Sequence, residues 1–444
     1  MKSSADFLPL AVAMILSTNL AFGRTLPWSL LPAGTGRVLW IGLSLIFLGL
    51  CFTAEWRRSW IQAMDRFVAR SDGRSARWAL VLLVLGNLVL SVLNYRQFER
   101  FGYTMPYAQV IWCVIAAFTV RLDRLWVSCL FSLGMLVTAI FHFPLHIDRS
   151  DMLLVLGRGL AQWKEGISPY QPFVMESGVS NWLSYLPPVI LSHLPAAVVG
   201  LDLRWNQVLY RGMWMAILAW TLRQRRHAGG DPPSSAWRLL MHLFILSPYF
   251  NYRHELYFEF YFVILALYGF VPKWRPLSLA LMVLTRQWAW VLAPFEVLRA
   301  WMRRSGVRSL GFFLAWLIVL GGGLGWLLSL TTTLEVFLKS AFWFQDRLEW
   351  KIFPGDFGLT LAPLYYTTGM AKVAQVIQAG AVVFAVGLTG LKQRSLRTGS
   401  LATIALVVFV LFNHHFWAYF WLSPAFWIVC NELGPSRGTP ETQV

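Results

Sequence analysis

Charge is scarce in this chain, and negative charge is scarcest. Of 444 residues only 13% are charged, and 21 Asp and Glu face 38 Lys and Arg. A water-soluble domain carries roughly a quarter of its residues charged, so this shortage excludes an ordinary solvated surface. Cysteine is rarer still. Cys51, Cys113, Cys129 and Cys430 stand in or beside apolar runs without paired spacing. That excludes a disulfide framework and a cysteine-based metal cluster, and the four read as small core residues. Internal repeats, low-complexity linkers and any stretch with the composition of a soluble domain are also missing. The last residues, 433–444, read as a short disordered cytoplasmic tail.

What is there in quantity is apolar. Hydrophobic residues make up 57% of the chain, and mean hydropathy is +0.55. The apolar runs repeat at about the 20 residues that a helix needs to cross a bilayer, and a helix satisfies its own backbone polar groups there. Many of the 24 Trp stand near the ends of these runs, where indoles anchor at the headgroup level. The fold class predicted is all-α: a polytopic membrane protein of about 12–14 transmembrane or half-inserted helices. The net charge of +17 is spread over short clusters between the runs. It therefore reads as membrane topology, with membrane lipids and no nucleic acid as partners. The opening residues 1–23 fit a cleaved signal peptide as well as a retained first span, and either leaves the next segment outside.

Spans are expected near 6–22, 38–54, 78–95, 105–120 and 125–141. The loop after the second carries six arginines and "RLDR" follows the fourth, so the positive-inside rule puts both in the cytoplasm. Residues 142–185 then form a large extracytoplasmic loop. The run from Leu186, "LPPVILSHLPAAVVG", is short and holds three prolines; it reads as half-inserted, with 205–222 as the next true span. Spans near 236–250 and 256–271 follow. Residues 277–302 start and end at basic clusters, which predicts a short helical hairpin with Arg286 and Gln287 near its turn. A span over 311–332, a second large outside loop over 333–371, a span over 372–391 and a last hairpin over 401–432 complete the order.

This topology collects the unusual polar residues on the extracytoplasmic side. They are Asp148, Asp151 and Tyr170; Tyr185; Asn251, Arg253, His254 and Glu255; Arg286 and Gln287; Asp346, Glu349 and Asp356; and His414 and His415. Ionisable groups at that depth cost a few kcal/mol each unless they line a wet cavity or pair, so a shared cavity is the economical expectation. Asp148 and Asp151, three apart, share a helical face. One can serve as a general base, the two can hold a divalent cation such as Mg or Mn, or they are solvated loop residues beside Arg149. Arg286 has no acid within ten residues before it; it either grips a phosphate or pairs with a carboxylate on another helix. Arg253, His254 and Glu255 read as a pyrophosphate or sugar contact, or as a polar turn at headgroup level. Adjacent His414 and His415 point about 100° apart on a helix and offer hydrogen bonds instead of a metal site.

The order of these motifs resembles the GT-C class of integral-membrane glycosyltransferases, closest to the polyprenol-phosphate-mannose-dependent mannosyltransferases and their bacterial relatives. The residues carrying it are "SDMLLVLGRGLAQWKEGISPY" (150–170), "YLPPVIL" (185–191), "YRHELYFEFYFVILALYGF" (252–270), "LTRQWAWVLAPFEVL" (284–298) and "FNHHFWAYFWLSPAFW" (412–427). The likeness spans 142–432, with 1–141 as additional N-terminal spans. Arg253–His254 replace the family's Gly-Gln, and Arg286 its Lys. The resemblance implies transfer of a hexose, mannose favoured, from a polyprenyl-phosphate donor to a lipid or glycan hydroxyl, at the extracytoplasmic face of a bacterial plasma membrane. It implies Asp151 as general base with Asp148 second; Arg286, Arg253 and His254 on the donor phosphate; and Tyr170, Tyr185, Gln287, Glu255, His414 and His415 on substrate, with no metal site. Two other readings are an O-antigen ligase or polymerase, which would depend on arginines and histidine, and a flippase or transporter, which commonly shows paired halves.

Overall fold

The computed structural model describes residues 8–22, 35–53, 59–60, 62–63, 66, 74–98, 107–143, 145, 152–174, 180–229, 232–252, 259–302, 306–341, 361, 371–391, 398–412 and 421–433. They are almost wholly helical. In chain order the helices are α1 (Leu8–Phe22), α2 (Thr35–Phe52), α3 (Arg74–Phe98), α4 (Tyr107–Thr119), α5 (Leu125–His142), α6 (Met152–Lys164), α7 (Pro187–Ser192), α8 (Leu194–Val198), α9 (Arg204–His227), α10 (Ser235–Ile245), α11 (Pro248–Tyr252) and α12 (Glu259–Phe270). There follow α13 (Arg275–Thr285), α14 (Ala293–Met302), α15 (Gly306–Ser329), α16 (Leu334–Ala341), α17 (Ala371–Leu391), α18 (Thr398–Leu411) and α19 (Leu422–Leu433). Two-residue strands, Phe173–Val174 and Ser180–Asn181, pair antiparallel after α6.

The all-α expectation holds, and the helices fall on the apolar runs. The proline-broken run at 186–200 is two short helices, α7 and α8, parted at His193. Pro187 and Pro188 open α7 at positions where a helix needs no N–H. Residues 277–302 are likewise broken at Arg286. By length and composition two of the described helices suffice to cross a bilayer, over Leu125–His142 and Arg308–Ser329, with mean hydropathies of 1.8 and 2.0.

Helix α12 is the hub. It is apolar nearly all round and buried along its length, as a central helix must be, and it packs against α9, α13 and α19. Gly269 makes the last contact close: a Cβ there would meet the Cβ of Cys430 at 2.6 Å. Around α12 lies an aromatic cluster of Trp214, Phe244, Phe250, Phe262 and Phe426, with Trp214 and Phe426 edge-on at 5.3 Å. Helix α1 packs on α19 and contributes Leu10, Ala11, Met14 and Ile15 to this same core. Helices α3, α4 and α5 build a second cluster against α10. The described helices α1, α3, α4 and α5 of the first 141 residues are therefore built into the bundle. Cys113 and Cys430 are free and buried, and Cys129 is free and half-buried.

Candidate functional site

Helix α13 stops because Arg286 leaves the helical region, at φ −140° and ψ 129°. A 3-10 turn over Gln287–Val291 follows. A helix end leaves carbonyls without partners, and here the Trp290 indole donates to the Val283 carbonyl at 2.7 Å. Arg286 is half-buried, and its positive charge acts on the hydroxyl of Tyr261 on α12. The 3-10 turn packs on α18. Leu361, in the second large loop, donates its N–H to the Leu411 carbonyl at the end of α18, at 2.9 Å. The break at Arg286, Leu361 of the second loop and α18 are thereby brought together.

Beside this break lies an apolar groove of about 380 Å³. Its floor is α15 from Gly321 to Ser329, and one wall is Val283, Leu284 and Trp290. Leu186 and Pro187 close it on a second side, and the α15–α16 turn supplies Thr332, Thr333, Leu334 and Phe337. The volume is in the range of a small-ligand site. Gly325 opens the floor: a Cβ there would meet nothing within 4 Å. The hydroxyls of Ser329, Thr332 and Thr333 gather at the α16 end of the groove, and the remaining lining is almost wholly apolar.

The first loop is braced against that end. Ser168 Oγ and Thr332 Oγ1 share a 2.7 Å hydrogen bond, and Ser340 Oγ donates to the Leu183 carbonyl at 2.8 Å. Tyr170 is fully buried, edge-on to Phe337 at 5.0 Å, and its hydroxyl donates to the Tyr185 carbonyl at 2.8 Å. Burial pushes that hydroxyl well above the usual tyrosine range, so it stays a neutral donor. The side chain expected to meet substrate thus stands in this structure as a strut inside the loop. Tyr185 is half-buried next to the groove residue Leu186.

The bundle interior holds charges that the apolar runs concealed. Arg204 is buried and forks onto Asp202, at 3.0 and 3.1 Å from Nε. It also donates to the carbonyls of Ala139 (3.4 Å), Ile140 (3.3 Å) and Phe143 at the end of α5, where a helix dipole favours a cation. Arg211 pairs with Glu259, both 1% exposed. His193 is buried at the α7–α8 break, its Nδ1 3.0 Å from the Val189 carbonyl, with its own carbonyl accepting from Asn206 at 3.0 Å. The signal for these groups was the single Arg or Glu inside an otherwise apolar run, present at Arg211 and Glu259.

Asp148, Asp151, Arg253, His254, Glu255, His414 and His415 lie outside the described residues, as do Asp346, Glu349 and Asp356. Gln287 opens the 3-10 turn. Asn251 is buried, with Ser132 Oγ 2.5 Å from its Oδ1. Among the described residues there is no group of three or more His, Cys, Asp or Glu able to hold a metal. Compared with protein-family models, curated proteins and solved structures, the chain has no match.

Proposed function

We propose that this chain is an integral-membrane glycosyltransferase that moves a hexose, mannose favoured, from a polyprenyl-phosphate donor to a lipid or glycan hydroxyl. The observation that carries the reading is an apolar groove walled by Leu284 and Trp290, with the helix break at Arg286 in the chain between those two wall residues. A lipid phosphate has that same polarity, a long apolar chain ending in an anion, and Arg is the side chain that meets phosphate oxygens with paired donors. The exposed surface supports a membrane setting. Ile318, Val319 and Trp326 on α15 are 71%, 62% and 68% exposed, a continuous apolar face that water does not tolerate. Together with the basic clusters between the apolar runs, this supports reading the chain as a multi-pass protein, and we place it in the bacterial plasma membrane with its site on the extracytoplasmic face as part of the same proposal.

In this reading Asp151 takes the proton of the acceptor hydroxyl, with Asp148 second in line. The acceptor oxygen attacks the anomeric carbon from the face opposite the phosphate. The new C–O bond forms as the bond to the phosphate oxygen breaks with its electron pair, so configuration inverts. Polyprenyl phosphate leaves with added negative charge, which Arg286 stabilises where it develops. The test is transfer of labelled mannose from synthetic polyprenyl-phosphate-mannose to membrane extract. Transfer by the wild type and a loss of about a hundredfold or more in Asp151→Asn are expected. No transfer by folded wild-type protein, or full activity in both Asp151→Asn and Asp148→Asn, would overturn the reading.

A further inference from the structure

Arg211 and Glu259 form an ion pair with both side chains 1% exposed. Exchanging such a pair for apolar residues of the same volume is often neutral or stabilising, so stability alone gives no reason for it. Geometry gives one. Arg211 Nε donates to Glu259 Oε1 at 2.8 Å, and Nη2 pairs with the same oxygen. Trp214 Nε1 holds the other oxygen, Oε2, at 3.1 Å. The remaining guanidinium N–H groups reach the Phe250 carbonyl at 3.3 Å and the carbonyl and Oγ of Ser132 at 3.2 and 3.1 Å. The guanidinium also stands 4.1 Å from the centre of the Phe250 ring. Every donor is thus engaged inside the protein, and Arg211 has none left for a ligand.

What the pair fixes is α12 at Glu259. Glu259 is the first described residue of that helix, and its carboxylate is clamped from two positions on α9. Tyr261 is two residues further on, fully buried, with its hydroxyl in the field of Arg286. Helix α12 also packs along α13, the helix that ends at Arg286. We infer that Arg211 and Glu259 are positioning residues for Arg286: they set the depth and rotation of α12 at Glu259, and through it the place of the phosphate-binding cation. The inference rests on the reading of Arg286 as the donor-phosphate group.

The test is binding of a synthetic polyprenyl phosphate, with the matching polyprenol as control, to full-length protein in lipid nanodiscs. Arg286→Ala is expected to lower phosphate affinity without changing polyprenol affinity. Glu259→Asp, which shortens the clamp by one methylene, is expected to do the same by roughly tenfold, the scale on which a small misplacement acts. Arg211→Lys is expected to follow it. A core variant away from the clamp, Ile428→Val, is expected to leave the ratio of the two affinities unchanged, which separates positioning from loss of stability. If Glu259→Asp does not fold, Trp214→Phe removes the N–H on Oε2 together with part of a buried ring, and against the polyprenol control it is expected to give a shift of about threefold in phosphate affinity. A loss in Arg286→Ala with none in the clamp variants overturns the positioning role and leaves the donor reading standing. No loss in Arg286→Ala overturns both.

Discussion

Helices α9 and α15 are the same length and are built on opposite plans. Helix α9 turns Arg204, Asn206, Gln207 and Arg211 inward and shows Leu209 and Trp220 outward, each 50% exposed. Helix α15 is apolar on nearly all sides, yet of Arg308–Ser329 only Phe313 and Leu328 are buried. In water this would be inside out, because burial of apolar surface is what folding gains and a buried charge is what it loses. On the membrane reading proposed above, the hydrophobic effect does not hold α15 to its neighbours. In an apolar surrounding, packing and polar links between helices take over that task, and α9 carries those links.

The comparison can be broken most sharply at Glu259. Glu259→Ala leaves Arg211 buried and without its carboxylate, and truncating one member of such a pair costs about 3 to 5 kcal/mol. The expected outcome is a large fall in the thermal unfolding midpoint of the purified protein in detergent. The double variant Arg211→Met/Glu259→Leu is expected to recover most of it. An unchanged midpoint in Glu259→Ala would show that α9 carries no structural charge. The next effect in size sits on the other helix. Ile318→Lys puts a charge on the exposed face of α15. At an exposed site in water that change stays within about 0.5 kcal/mol, whereas at the centre of a bilayer it costs about 2.5 to 3.5 kcal/mol. The measurement is folded yield in membranes against Ile318→Ala. A marked loss places α15 against lipid, and equal yields return it to water.

How far these helices were legible in the sequence follows from the same contrast. The extent of α15, Gly306–Ser329, could be approached from its unbroken apolar run, and the break at Arg286 from basic clusters at both ends of 277–302. Periodicity reads length well because each residue adds its own evidence. It reads partners poorly. Arg211 and Glu259 are 48 positions apart, and no local pattern ties one to the other. Tyr170 makes the same point from the other side. Its place in a Gly-x-x-Pro-Tyr turn suggested a substrate contact, but the ring packs on Phe337, 167 residues away by number (337 − 170). The groove could not be read at all, since its lining comes from three separate stretches of chain that are ordinary apolar sequence one by one.

The smallest effect gives the finest comparison, because it matches two truncations of similar size. Ser128 on α5 is buried, with Oγ 2.7 Å from His242 Nδ1 on α10. His242 Nε2 is 3.2 Å from the Leu122 carbonyl, which makes Nε2 the protonated nitrogen and Nδ1 the acceptor from Ser128. Ser128→Ala then leaves Nδ1 buried without its donor, at a cost of about 1 kcal/mol. Val319→Ala on α15 removes more atoms from a side chain that touches less of the protein, and its expected cost is within about 0.5 kcal/mol. Chemical unfolding of both variants in one detergent measures the difference directly. A larger loss for Ser128→Ala means that interior polar links outweigh exterior apolar bulk in holding the bundle. A larger loss for Val319→Ala would mean that the outer face of α15 meets protein and not lipid, and the contrast between the two helices would dissolve.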